Sequence, residues 1–94
     1  MSITKKDLEQ CFKDARYTDS LFIGVKIFTR GSAGYEYIIN PSENFEAKLE
    51  YYMENYNDEL VLKKYDGIQI VDVTFGDSFD QIECAFEELV EGGL

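Results

Sequence analysis

The chain has 94 residues, 45% of them hydrophobic, including seven Phe and seven Tyr. That is enough apolar material for one modest core, so residues 1–94 read as a single domain. A formal net charge of −10 argues against direct binding of nucleic acid or of an anionic membrane, because both need cations.

The first helix is signalled at "ITKKDLEQ". Thr4 stands as N-cap with Asp7 three residues on, and Ile3 and Leu8 hold the two positions of a hydrophobic staple. Leu8, Cys11, Phe12 and Ala15 then repeat at i, i+3, i+4 and i+7, which makes one apolar face. This predicts a helix from Lys5 to Arg16. "LFIGVKIFT", Leu21 to Thr29, alternates with period two: Leu21, Ile23, Val25 and Ile27 on one side, Phe22, Gly24, Lys26 and Phe28 on the other. "RGSAG" is a turn, and "YEYII", Tyr35 to Ile39, is the returning strand of an antiparallel hairpin.

"NPSE" predicts the start of a second helix, with Asn40 as cap, Pro41 at the first helical position and Glu43 reaching back. Phe45, Leu49, Tyr52, Met53 and Tyr56 form its apolar stripe. "DELVLKKYDG" reads either as a frayed helix end or as a short strand. "IQIVDVTF", Ile68 to Phe75, is rich in β-branched residues and predicts a third strand, whose place in the sheet stays open. Ser78 with Gln81 caps a last helix whose apolar face is Phe79, Ile82, Phe86, Leu89 and Val90, ending at Gly92 and Gly93. The order α-β-β-α-β-α predicts a small α+β domain with a three-stranded, mainly antiparallel sheet and helices on one face or both.

The charge is unevenly placed. Residues 1–42 carry six Lys/Arg against five acids, whereas residues 43–94 carry three Lys against fourteen acids. On the second helix Glu46, Glu50, Glu54 and Asp58 recur every four residues, and on the last helix Asp80, Glu83, Glu87 and Glu91 make a second row. Like charges at i, i+4 disfavour an isolated helix by a few tenths of a kcal/mol per pair, so a helix that needed only solubility would interleave lysines. Two such rows are expected to form one patch. The same pattern also fits a face that is merely solvated. Tyr51, between Glu50 and Glu54, and Tyr35 and Tyr37 around Glu36 offer rigid apolar area with a polar end, as binding surfaces do. Tyr35 and Tyr37 equally fit packing under a helix.

Catalytic and metal chemistry find little support. With no His and no Trp, the usual acid–base group and the commonest metal ligand are absent. Cys11 lies on an apolar helix face, and Cys84 follows Glu83, whose charge discourages a thiolate. Asp72 to Glu83 has the first and twelfth residues of a calcium loop but Asp77 where the turn needs Gly. The expectation is a non-enzymatic protein with no cofactor and no metal. No apolar run approaches the roughly 20 residues that span a bilayer, and "MSITKKDLEQ" has no apolar leader stretch. A cytoplasmic protein with two reduced thiols is therefore expected.

"GYEYIINPSENFEAKLEYY", Gly34 to Tyr52, resembles the hairpin-to-helix segment of a small acidic type II anti-CRISPR family, which joins an "EY-V/I-I" strand to a "SEN" helix start. That resemblance implies an α+β domain under one hundred residues. It also implies inhibition of an RNA-guided DNA nuclease by filling the site that reads the short DNA motif beside the target. Gly34, Glu36 and Tyr37 fall at the family's contacting hairpin positions. The C-terminal half, with "DGIQIVDVTFGDSF" and the helix after it, departs from the family. "EYYMENYNDEL" is similar to the acidic inhibitory helix of the barstar type, which plugs a ribonuclease. Both likenesses imply carboxylates presented to a basic site.

The sequence thus predicts a phage or mobile-element inhibitor, monomer or homodimer, that mimics nucleic-acid charge. Its partner would be a basic nucleic-acid-binding protein such as a CRISPR effector nuclease. The expected contacts are Glu36, Tyr37, Glu46, Glu50, Tyr51, Glu54 and Asp58, then Asp80, Glu83, Glu87 and Glu91. Rival readings are an immunity protein or antitoxin against a nuclease toxin, and an adaptor module whose strand from Leu21 pairs a second copy along an exposed edge.

Overall fold

The computed structural model describes residues 3–91, with side chains described up to residue 87. The order is α1 (Lys5–Tyr17), β1 (Phe22–Thr29), β2 (Tyr35–Pro41), a 3-10 turn (Ser42–Asn44), α2 (Phe45–Asn55), β3 (Ile68–Gly76) and α3 (Phe79–Glu91). The strands form one antiparallel sheet in the order β2-β1-β3. This is the predicted α+β fold. β1 is the central strand, so an edge pairing through the strand from Leu21 is ruled out; the edges are β2 and β3.

β1 is buried on both faces, and its two sides receive different partners. Ile23, Val25 and Ile27 join Leu8, Phe12 and Ala15 of α1, Phe45 and Tyr52 of α2, and Tyr56, Leu60 and Ile70 in one core. The Phe12 ring meets Phe45 and Tyr52 edge-on, at 5.9 and 6.3 Å between centroids, which fixes α1 against α2. The opposite side of β1 takes α3. There Gly24 leaves room for Ile82 and Phe86, both buried, and Phe22 meets the Phe79 ring at 5.0 Å. The helices therefore cover both faces, with α1 and α2 on one side and α3 alone on the other.

Asn40 and Pro41 do not open α2. Both stay in the strand, opposite Ile23 and Phe22, and the Ser42 N–H extends that ladder by donating to the Leu21 carbonyl at 2.8 Å. The Asn40 amide is drawn into the core, donating to the Ile23 carbonyl at 3.4 Å and towards the Tyr52 hydroxyl at 3.5 Å. An amide held there is not free to cap a helix, and the chain turns through Ser42–Asn44 before α2 begins. Glu43 makes no cap bond.

α2 ends at Asn55. The Lys5 ammonium donates to the Met53 carbonyl at 2.7 Å and the Lys63 N–H to the Asn55 carbonyl at 2.9 Å. These bonds satisfy carbonyls that a helix end leaves without partners. The following segment is neither helix nor full strand. Asn57 Oδ1 accepts from the N–H groups of Glu59 and Val61, and Leu60, fully buried, adopts φ 62°. The chain then forms two bridges, Tyr56 with Leu62 and Val61 with Gln69.

The outer helices keep their predicted starts. The Thr4 N–H donates to Asp7 Oδ2 at 2.8 Å. The Gln81 N–H donates to Ser78 Oγ at 3.1 Å, while Gln81 Oε1 reaches back to the Asp77 N–H at 2.7 Å. The side chains of Leu89 and Val90 of the predicted apolar face, and Gly92 and Gly93 of the predicted helix end, lie outside what is described.

A Cβ at position 24 would overlap Ile82 Cγ2 and crowd the Phe86 ring. Gly24→Ala is expected to destabilise the fold by about 1–3 kcal/mol through overpacking, read as a lower urea midpoint at unchanged slope.

Candidate functional site

The acid row of α2 stands out in water. Glu46, Glu50 and Glu54 are all exposed on the side away from buried Phe45 and Tyr52. The helical rise spaces them about 6 Å apart. Asp58 does not continue the row. It lies beyond the end of α2, where its carbonyl accepts the Lys5 N–H at 3.1 Å, because the helix is stopped at Asn55 by Lys5 and Lys63. Tyr51 is 46% exposed beside the row, with its ring 5.5 Å from the Tyr52 ring beneath it.

The two predicted rows do not merge. α2 and α3 cover opposite faces of the sheet, so exposed Asp80, Glu83 and Glu87 look away from the α2 row and no common patch forms. The Glu91 side chain lies outside the described residues. Strand alternation splits the hairpin pair in the same way. Glu36, exposed, shares the α2 side of β2 with Asn40. Tyr37 faces α3, where its half-buried ring lies 4.9 Å from that of Phe86. Tyr35 is on that side too, 55% exposed.

Three of the nine cations, Lys5, Lys26 and Lys48, are drawn in, whereas Lys6, Lys13, Arg16, Arg30, Lys63 and Lys64 are exposed. Lys26, only 8% exposed, lies over the Tyr35 ring at 4.5 Å and near Phe86 at 6.0 Å. Lys48 lies 5.1 Å from the Tyr51 ring and 5.3 Å from that of Tyr52. Aromatic faces attract ammonium groups in this range. Lys5 is spent on the end of α2. Arg30 pairs with Asp66 at 3.1 Å, and Arg16 reaches Glu46 at 3.7 Å, with both ends exposed. Of the aspartates and glutamates in the described side chains, only Asp72 is not exposed. The surface is thus more negative than the residue count alone implies.

Sequence reading missed these commitments of Lys and Arg. Lys48 was the legible one, since Tyr51 and Tyr52 follow it at i+3 and i+4, the spacing of helical neighbours. The others join residues remote in sequence.

Cys11 is not poised as a nucleophile. Burial, reinforced by the carboxylates of Asp14 and Asp72, pushes its thiol up to about 12. Cys84 is exposed and free. No group of His, Cys, Asp and Glu among the described residues is arranged to hold a metal ion, and no described helix is long and apolar enough to cross a membrane. No family model, curated protein or solved structure matches the chain.

Burial also pushes the Tyr52 hydroxyl up to about 12 from an ordinary value of 10.0, with the Asn40 contact opposing in part. Above the ordinary value the unfolded chain gives up this proton while the folded chain keeps it, so stability falls as pH rises towards 12. Cys11 acts in the same direction. Tyr52→Phe is expected to flatten the loss of urea resistance between about pH 10 and pH 12, followed by circular dichroism.

Proposed function

We propose that this protein is a non-enzymatic, cytoplasmic inhibitor that lays the α2 ridge into the cationic nucleic-acid-binding cleft of a partner. The favoured partner is an RNA-guided CRISPR nuclease, encountered in a cell that carries a phage or mobile element. The observation that supports this reading is the asymmetry of the surface. The carboxylates of Glu46, Glu50 and Glu54 stand exposed on a helix anchored from below by Phe45 and Tyr52, while Lys26 is buried and Lys5 and Lys48 are half-buried against the protein's own carbonyl and aromatic groups.

A basic cleft built for phosphate accepts such a ridge because an arginine fork bonds carboxylate and phosphate alike. The ridge spacing of about 6 Å is of the order of the step between phosphates along one nucleic-acid strand. Glu36 lies on the same side of the sheet and adds to the charge. Tyr51 supplies apolar area with a polar end. The α3 row points elsewhere and acts in this reading only through the long-range field that speeds encounter.

The test is target-DNA binding by a guide-loaded nuclease with this protein as competitor. Wild-type protein is expected to block DNA binding at low salt and to lose potency as salt rises. Glu50→Lys with Glu54→Lys should raise the concentration for half-inhibition at least about tenfold, or roughly 1.4 kcal/mol. Asp80→Lys with Glu83→Lys should shift it less than about twofold if it acts only on encounter. Unchanged inhibition by the α2 double variant removes α2 as the contact.

A further inference from the structure

A second surface lies apart from the α2 ridge, along the outer edge of β3. The first half of that edge is covered: the Ile70 N–H donates to the Leu60 carbonyl and the Leu62 N–H to that of Ile68, each at 2.9 Å. Past Ile70 no strand among the described residues pairs with β3 on its outer side. A groove of about 500 Å³ opens there, between this half of β3 and α1. Four consecutive β3 residues, Asp72, Val73, Thr74 and Phe75, line it. Alternate side chains of a strand point to opposite faces, so a run of four marks a groove along the edge rather than over one face.

The edge keeps polar groups turned outward. The Val73 N–H does not go to β1; it donates to Oδ1 of the neighbouring Asp72 at 2.8 Å. By alternation the Phe75 N–H has the same outward direction. A side chain thus stands where a strand partner's carbonyl would be. A free edge of this kind is a template for an added strand.

The lining states what sort of segment fits. Val73, Phe75 and Ile3 give apolar contact, while Asp7, Asp14 and Asp72 give three carboxylates and no lining residue is a cation. Asp7 accepts from Thr4 and Asp14 from Gln10, both neutral donors, so their charge is not cancelled. Burial is the main cause of the raised Cys11 thiol, and the carboxylates of Asp14 and Asp72 add to it, which places both near the groove wall.

We infer that the groove between α1 and the outer edge of β3 takes an extended cationic segment of a partner protein, added to β3 as a further strand with its Lys or Arg side chains against Asp14 and Asp72. Backbone bonds to Val73 and Phe75 supply the affinity that is indifferent to sequence. The carboxylates choose a basic segment and exclude an acidic one, including the same edge of a second copy of this chain.

Two fluorescein-labelled peptides of equal charge test the inference, one of alternating Val and Lys and one of alternating Gly and Lys. The Val–Lys peptide is expected to bind by anisotropy at low salt, and the Gly–Lys peptide at least about tenfold more weakly, since it carries the charge without strand preference. Asp14→Asn with Asp72→Asn keeps side-chain shape and one acceptor oxygen on each while removing the charge, and should weaken Val–Lys binding about tenfold. Glu50→Gln with Glu54→Gln should leave it within about twofold. Amide NMR shifts on the unaltered protein should fall on Val73, Phe75 and the facing turns of α1, which guards against misfolding of the variant. Equal binding of the two peptides, no binding of Val–Lys, or shifts confined to α2 or α3 would overturn the inference.

Discussion

The two-sided burial of β1 organises this molecule. One short strand must hide Ile23, Val25 and Ile27 on one side and close the Gly24 side on the other, and each side needs its own helical cover. α1 and α2 meet over the first. α3 lies on the second, where only a residue without a Cβ lets Ile82 and Phe86 come down onto the strand. Each buried apolar side chain contributes about 1.5–3 kcal/mol, so neither cover is dispensable. The consequence for the surface is direct. Whatever α2 shows to solvent is separated from whatever α3 shows by the thickness of the sheet.

That separation changes how the acids act. Two merged rows would give a broad patch of repulsion with many competing poses for a partner. A single row on α2, held by Phe45 and Tyr52, is narrower and better oriented. Three of the lysines are engaged within the protein, and the exposed Lys6, Lys13, Lys63 and Lys64 belong to other elements. Lys48 leans on Tyr51 and Tyr52, Lys26 is roofed by Tyr35 and Phe86, and Lys5 sits at the carbonyl end of α2, where a cation is favoured by the helix dipole. Among the described residues only Arg16 forms an ion pair with the row, at its first member. For these three lysines stability and charge presentation share a cause: the contacts that fasten them hold them off the α2 carboxylates.

The elements were legible where local chemistry sets them. Thr4 with Asp7, the period-two run from Leu21 and Ser78 with Gln81 each settle their segment within a few residues, and the structure keeps all three, with the strand starting one residue later at Phe22. Asn40 misled because a capping residue before Pro is a local signal, whereas its amide answers to Ile23 and Tyr52, one of them seventeen residues upstream and the other twelve residues downstream. Asp58 misled for a similar reason. Periodicity carries the row past Asn55, but Lys5 and Lys63, both outside α2 in sequence, terminate the helix first. Strand order was not legible either, since "IQIVDVTF" has the apolar pattern of an inner strand and yet sits at an edge. Its outer side is hidden in part by Leu60–Leu62 and by α1, so its side chains are half-buried without a second strand neighbour.

Edge strands usually carry a device against unwanted pairing, and here Asp72 is placed to be that device. Its carboxylate occupies the outward N–H of Val73, and its charge repels the same edge on another copy of a strongly acidic chain. A carboxylate is also the one kind of guard that a basic segment would draw aside rather than meet, because a guanidinium or ammonium group offers it a stronger bond than a neutral amide does. Protection against self-association and selectivity for a cationic strand would then follow from one side chain. The α2 ridge and the β3 edge would answer to different features of a partner, the first to a cleft that binds phosphate and the second to an extended stretch of basic chain. Both rest on the same condition: acids at the surface whose charge the protein's own lysines and arginines leave largely unneutralised.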